Sequence, residues 1–163
     1  MQANLVPSAL IERADTKKML YRACGLCKRV VPGDQRPYCR FCNVSLHETT
    51  QVIWRYKLVL SCAIGMTLLN VILFDEVAEV FLGAPASRYA KLREKLPSLD
   101  AAVAETLEGS LVEMTLQESA VNSATGYERE PKAVRIAWYG SADATPLLTR
   151  VLQRHYKDNN VAL

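Results

Sequence analysis

Four cysteines stand in two tight pairs within one short stretch, Cys24-x2-Cys27 and Cys39-x2-Cys42, with eleven residues between the pairs. A two-residue gap lets both thiolates of a pair converge on one ion while backbone N–H groups of the turn face the sulfurs. Two such knuckles supply four soft ligands at tetrahedral angles, the pattern of a structural Zn2+ site. With sulfur at all four positions, no coordination site is left open for catalysis. The flanking residues agree. Gly25 and the Pro32-Gly33-Asp34 stretch permit sharp turns, and Lys28, Arg29, Arg36 and Arg40 offset the charge of four thiolates. A thiol–disulfide exchange centre would need a single CxxC beside a βαβ pattern, which is absent. A disulfide framework suits a small secreted domain rather than a chain of 163 residues.

The remaining chemistry-bearing residues argue against an enzyme. The two histidines, His47 and His155, form no HExxH pair, and there is no nucleophile elbow or phosphate-cradling glycine loop. Asp75, Glu76 and Glu79 sit where a helix begins, and the helix dipole accounts for them. No catalytic residue and no small-molecule substrate are therefore expected. Charge is distributed unevenly. Residues 1–60 carry ten Lys/Arg against four Asp/Glu, and residues 61–130 carry five against eleven. A basic region around the cysteines followed by an acidic middle gives an oriented surface able to face an anionic polymer, though scattered solvated charges would give the same counts.

These residues have to be held by strands. Leu58 to Phe74 is uncharged over seventeen residues but too short for a membrane span and broken by Ser61, Gly65, Thr67 and Asn70. Two buried strands meeting near Gly65, roughly Val52–Ile64 and Met66–Phe74, explain it, and no membrane segment is expected. Cys62 within it reads as an inert core thiol. Residues 1–18 read as a leader, and "KMLYRA" as a short strand entering a zinc ribbon over 24–46. Helical patterns follow at "FDEVAEVFLG", "SRYAKLREKL" and "SLDAAVAETLEG", then strands at 110–119 and 131–140 joined by a polar loop. A final helix begins near Thr145 and Pro146. The expected fold is mainly β with helices: a five-stranded OB-type barrel over 19–143, the zinc ribbon inserted at 24–46, and a C-terminal interaction helix over 144–163.

In this order of elements the chain resembles the C-terminal DNA-binding domain of the replication protein A large subunit, over residues 15–158. The resemblance rests on "MLYRAC" (19–24), the four cysteines, "YKLVLS" (56–61), "FDEVAEVFLG" (74–83) and "VRI" (134–136). It departs from that family in a tighter first cysteine pair and in having Asn70 where the family tends to place a Trp. The resemblance implies single-stranded DNA as ligand, smaller OB-fold subunits as partners of the C-terminal helix, and a nuclear location. The process served would be replication, repair, recombination or telomere maintenance. The alternative is a zinc-stabilised scaffold that binds only protein.

Alternation along 52–62 puts Val52, Trp54, Tyr56, Leu58 and Leu60 inside and leaves Arg55 and Lys57 outside as phosphate contacts. On 132–140, Val134, Ile136 and Trp138 read as interior, with Arg135 and Tyr139 outward. Lys28, Arg29, Tyr38, Arg40 and Phe41 combine charge with aromatic faces in the ribbon. Tyr38 and Phe41 either stack on bases or pack the ribbon on the barrel. Leu148, Val151, Leu152 and His155 fall at i, i+3, i+4 and i+7, an apolar stripe that meets a partner helix or caps its own barrel.

Overall fold

The computed structural model describes residues 3–32, 36–117, 121–122, 127–128, 130–140 and 144–157. In chain order the strands are β1 (Ala3–Asp15), β2 (Leu20–Cys24), β3 (Tyr38–Cys39), β4 (Val44–Ser45), β5 (Val52–Ile64) and β6 (Thr67–Phe74). Helices α1 (Asp75–Leu82), α2 (Ala86–Lys95) and α3 (Leu99–Leu107) come next. They are followed by β7 (Leu111–Gln117), the two-residue pair β8 (Val121–Asn122) and β9 (Tyr127–Glu128), β10 (Lys132–Trp138), and α4 (Leu147–His155).

The main sheet runs β1-β7-β10-β6-β5-β2, and β1 also pairs with β5. That second pairing closes β1, β7, β10, β6 and β5 into a ring, the five-stranded barrel expected from the sequence. The one parallel contact is between β10 and β6, at Lys132 opposite Ile72. Strand β2 lies outside the ring, on the half of β5 that reaches beyond it toward the cysteines.

The first barrel strand corrects the expectation of a leader over 1–18. Residues 3–15 form β1, which pairs with β7 through its first half and with β5 through its second, Leu10 facing both Leu111 and Ala63. A strand serving two neighbours in turn has to bend, and the register shifts between Val6 and Ala9 and again between Ile11 and Arg13. Pro7 lies in the first shift, a place where a missing N–H costs no ladder bond. Val6, Ala9, Ile11 and Ala14 are buried. The short strand expected at "KMLYRA" on entry to the ribbon is β2, Leu20–Cys24, which lies outside the ring.

The core fills the ring with Ile11, Tyr56, Leu58, Leu60, Val71, Leu73, Val112, Met114, Ile136 and Trp138, and α1, α3 and α4 pack against it. Strands β5 and β6 meet at Gly65, as expected, with φ +61. Cys62 is fully buried, and burial pushes its thiol up to about 11, which keeps it protonated and inert. Helix α1 ends on Gly83 at φ +87, where a Cβ would lie 2.3 Å from Pro146 Cβ. Only glycine permits both that turn and the close approach of α4. Among the described residues, no helix is long and apolar enough to cross a membrane.

Two expectations about faces change. The register shift between Ala133 and Arg135 turns Val134 outward, 48% exposed, so Ala133 takes its interior place. Trp54 is 39% exposed, because β5 has left the barrel there and no layer lies over it. The apolar stripe of α4 is turned inward. Leu147, Leu148 and Val151 are fully buried in the chain's own core, while Leu152 and His155 are partly covered. Arg154 pairs with Glu105 of α3 at 3.5 Å, and the Tyr156 and Ser98 hydroxyls lie 2.7 Å apart. Ile11→Ala and Leu148→Ala should each lower the unfolding free energy by about 2–5 kcal/mol in urea denaturation. Wild-type stability in either variant would mean that its side chain is not part of this core.

Candidate metal centre and nucleic-acid face

The ribbon is built from the backbone outward. β2 delivers Cys24, and the hairpin β3–β4 presents Cys39 at its first strand's end. After each second cysteine the chain turns through a left-handed residue, Lys28 at φ 64 and Asn43 at φ 56. Asn tolerates that conformation, whereas Lys28 pays about 1 kcal/mol or more for it. The Lys28 N–H donates to the Cys24 carbonyl at 2.7 Å, closing the first knuckle. The Leu26 N–H faces Cys24 Sγ at 3.4 Å and the Cys42 N–H faces Cys39 Sγ at 3.3 Å.

The four Sγ atoms all lie within 4.8 Å of one another, with Cys27 and Cys39 3.5 Å apart, and none is in a disulfide. A tetrahedral ion with metal–sulfur bonds of about 2.3 Å needs sulfur pairs about 3.8 Å apart, so the donor set fits one metal ion. Apart from cysteines, the ribbon's buried residues among those described are Val31, Pro37 and Leu46, with Val52 packed against this cluster, little apolar surface to hold a fold. Among the thiols, Cys39 is drawn down to about 7, chiefly by the Cys42 backbone N–H. Burial pushes Cys42 up to about 12. A bound cation would remove the remaining protons.

Around this centre Lys28, Arg29, Arg40 and Phe41 are exposed. The Arg29 guanidinium stacks 3.6 Å over the Phe41 ring, which is 62% exposed. Tyr38 is also exposed, and its hydroxyl bonds the Asn43 side-chain carbonyl. Both rings are thus exposed rather than buried between ribbon and barrel. On the barrel's outer face, facing pairs of β5 and β6 form a column: Lys57 with Phe74, Val59 with Ile72, Ser61 with Asn70, Ala63 with Leu68. Lys132 Nζ from β10 lies 5.0 Å from the Phe74 ring centre. Phe74 is thus a mostly covered ring, with Lys57 opposite it on β5 and the Lys132 ammonium over its face.

A model of the replication factor-A C-terminal domain family matches residues 6–130. The chain belongs to this family. That span includes β1, in keeping with its place in the barrel. One solved structure similar to this replication factor-A C-terminal domain is a replication protein A heterotrimer bound to ssDNA, with TM-score 0.61 and 19% identity over 84% of this chain and 32% of that one. A second is yeast RPA bound to ssDNA, with TM-score 0.60 and 19% identity over 93% of this chain and 82% of that one. The chain therefore spans about a third of the first chain's length. At this identity the likeness shows the fold. No curated protein matches the sequence.

Within the replication factor-A C-terminal domain, the structure gathers some anticipated residues and separates others. Lys28, Arg29, Tyr38, Arg40 and Phe41 all belong to the ribbon, and Lys57 stands at the foot of the β5–β6 column. Arg135 lies instead toward β1 and β7, in a hollow with Leu5, Glu113 and Thr115. Tyr139, 52% exposed, borders a cleft with Leu111, Trp138 and Arg150. Arg55 is turned to an internal ion pair with Asp75. Phe74 and Lys132 were missed. The signal for Phe74 was present, since alternation from Asn70 through Ile72 puts it on the outer face. The helix-like run "FDEVAEVFLG" absorbed it. For the metal centre, the purified protein should carry one metal equivalent per chain by elemental analysis, and Cys39→Ser should lose it. Amides of 24–46 should then lose exchange protection while β5 and β6 keep theirs. Retained metal in that variant would remove Cys39 from the ligand set.

Proposed function

We propose that the domain binds single-stranded DNA as part of a replication-protein-A-like complex, on an OB barrel whose ribbon is held by one structural Zn2+. The observation that carries the reading is a pair of rings each set beside cations, the exposed Phe41 under Arg29 and the partly exposed Phe74 beside Lys57 and Lys132. A base stacks on such a ring for about 1–3 kcal/mol while flanking ammonium groups meet phosphates. Phe41, with Arg29 over one face, repeats the combination in the ribbon. Lys28 and Arg40 beside it extend the positive track, with Arg135 and Tyr139 as outlying contacts. Both similar structures are of complexes described as bound to ssDNA.

Four thiolates in two short knuckles suit zinc, the ion such paired CxxC ribbons take when the site is structural, and a closed site of this kind serves stability rather than catalysis. The domain is a binding module in this reading, not an enzyme, and acts in the nucleus on replication, repair, recombination or telomeres. Smaller OB-fold subunits would meet α4 through what its own barrel leaves uncovered. Leu152 and His155 are only partly buried. A purely protein-binding scaffold is favoured by one observation. The β5–β6 hairpin presents Met66, fully exposed, and Leu68, 61% exposed, rather than aromatic rings.

Anisotropy titrations with a labelled oligothymidylate across a salt series test the proposal. Lys57→Glu should weaken binding and lower the slope of log K against log salt by about 0.7. Phe74→Ala should weaken it roughly tenfold or more with the slope unchanged, because stacking releases no counterion. Absence of binding by the wild-type protein at low salt hands the site to the scaffold reading.

A further inference from the structure

Arg55 sits on β5 where the strand passes from the barrel to the ribbon, and it touches both sides of that passage. Its Nη1 donates to the Lys28 carbonyl at 3.1 Å, in the turn that follows Cys27. Its Nε lies 3.4 Å from Asp75 Oδ2, at the first residue of α1. The other Asp75 oxygen, Oδ1, accepts the Tyr56 backbone N–H at 3.1 Å, so the carboxylate is itself fixed to β5. The Arg55 side chain is only 20% exposed and Asp75 23%, whereas Lys57, two residues on, lies open. A guanidinium offers donors in a rigid fork and can address two acceptors in different directions at once.

We infer that Arg55 is a positioning residue that clamps the metal-bearing ribbon to the α1 corner of the barrel, and not a contact to the nucleic acid. The β2–β5 ladder alone carries the ribbon as the extension of one strand, able to hinge about it. Arg55 adds a tie from the first knuckle to a different element. Asp75 directly follows Phe74, so the clamp fixes the spacing between the Phe74 ring and the Arg29–Phe41 stack. Its consequence for DNA rests on the single-strand reading proposed above; the clamp itself does not.

Charge sign separates this role from a phosphate contact. Asp75→Asn keeps an acceptor for the Tyr56 N–H but removes a negative charge and loosens its hold on Arg55. If Arg55 served phosphate directly, that change would tighten DNA binding. As a clamp residue, Arg55→Met and Asp75→Asn should each weaken oligothymidylate binding by about 3- to 30-fold, and the double variant should be no worse than either single one. The salt slope should stay at the wild-type value. Independently of DNA, hydrogen exchange at Leu26 and Lys28 should speed up in both variants, with metal content unchanged. Unaltered exchange overturns the clamp whatever the DNA results. Tighter binding in Asp75→Asn, or a slope lowered by about 0.7 in Arg55→Met, overturns it in favour of direct contact. If the wild-type protein binds no DNA, the single-strand reading falls and the exchange measurement still judges the clamp.

Discussion

The register of β5 governs both halves of the molecule. Its thirteen residues pair with β6 over 57–64, with β1 over 59–63 and with β2 over 52–56. A slip by one residue would send Tyr56, Leu58, Leu60 and Cys62 to the solvent face and bring Lys57 and Ser61 inside. Tyr56 pins that register. Its ring meets Tyr89 edge-on at 6.2 Å, and its buried hydroxyl donates to the Ala84 carbonyl at 2.9 Å. Burial raises the pKa of both tyrosines, so both hydroxyls remain donors at neutral pH. Tyr89 passes the constraint onward, donating to Asp100 Oδ1 at 2.7 Å, while Thr16 donates to the Asp100 carbonyl at the same distance. The end of β1, α2 and α3 are thereby held in one arrangement around a single strand.

That strand also makes the ribbon and the barrel depend on each other asymmetrically. The barrel buries its own core and needs no metal to close. Among its described residues the ribbon buries Val31, Pro37 and Leu46 besides cysteines, and it leans on Val52 of β5. Its stability comes from its four sulfurs and from the strand that carries it. Cations gather there for a local reason first. Four thiolates around a divalent ion leave a net negative charge, which Lys28, Arg29 and Arg40 offset. Whatever positive field they retain at the surface is available to a phosphate chain.

The cysteine centre was legible because spacing alone encodes it, with ligand geometry compressed into two short turns. The β5–β6 hairpin was legible because uncharged alternation flanks a glycine. β1 was hidden by the features that let it close the barrel. Two register shifts break its alternation, Pro7 lies in one of them, and small residues such as Ala9 and Ala14 stand where large ones would have signalled a core. Val134 was misplaced for the same reason, one shift reversing the phase of β10. The α4 stripe was visible in its spacing, but amphipathicity does not name what buries it, and Leu148 and Val151, expected to meet a partner helix, are buried in the chain's own core. Arg55 shows the general limit. Alternation assigned its side of the strand, yet its partner Asp75 comes from twenty residues away in another element.

Charge and fold together give the domain its polarity. Net charge is only +3, but interactions between exposed charges fade within about 8–10 Å at physiological salt, so local groups decide what approaches. The cations of the central segment lie mainly on α2, as Arg88, Lys91, Arg93 and Lys95, while Glu76, Glu105, Glu108 and Glu113 lie on α1, around α3 and on β7. The ribbon cations Lys28, Arg29 and Arg40 and the lysines beside Phe74 stand instead on β5, its ribbon and β10, with Glu48 and Glu76 as exposed acids next to them in the chain. The same strand that fixes the barrel's register thus also sets where the ribbon's cations stand, because the ribbon is built on its free end.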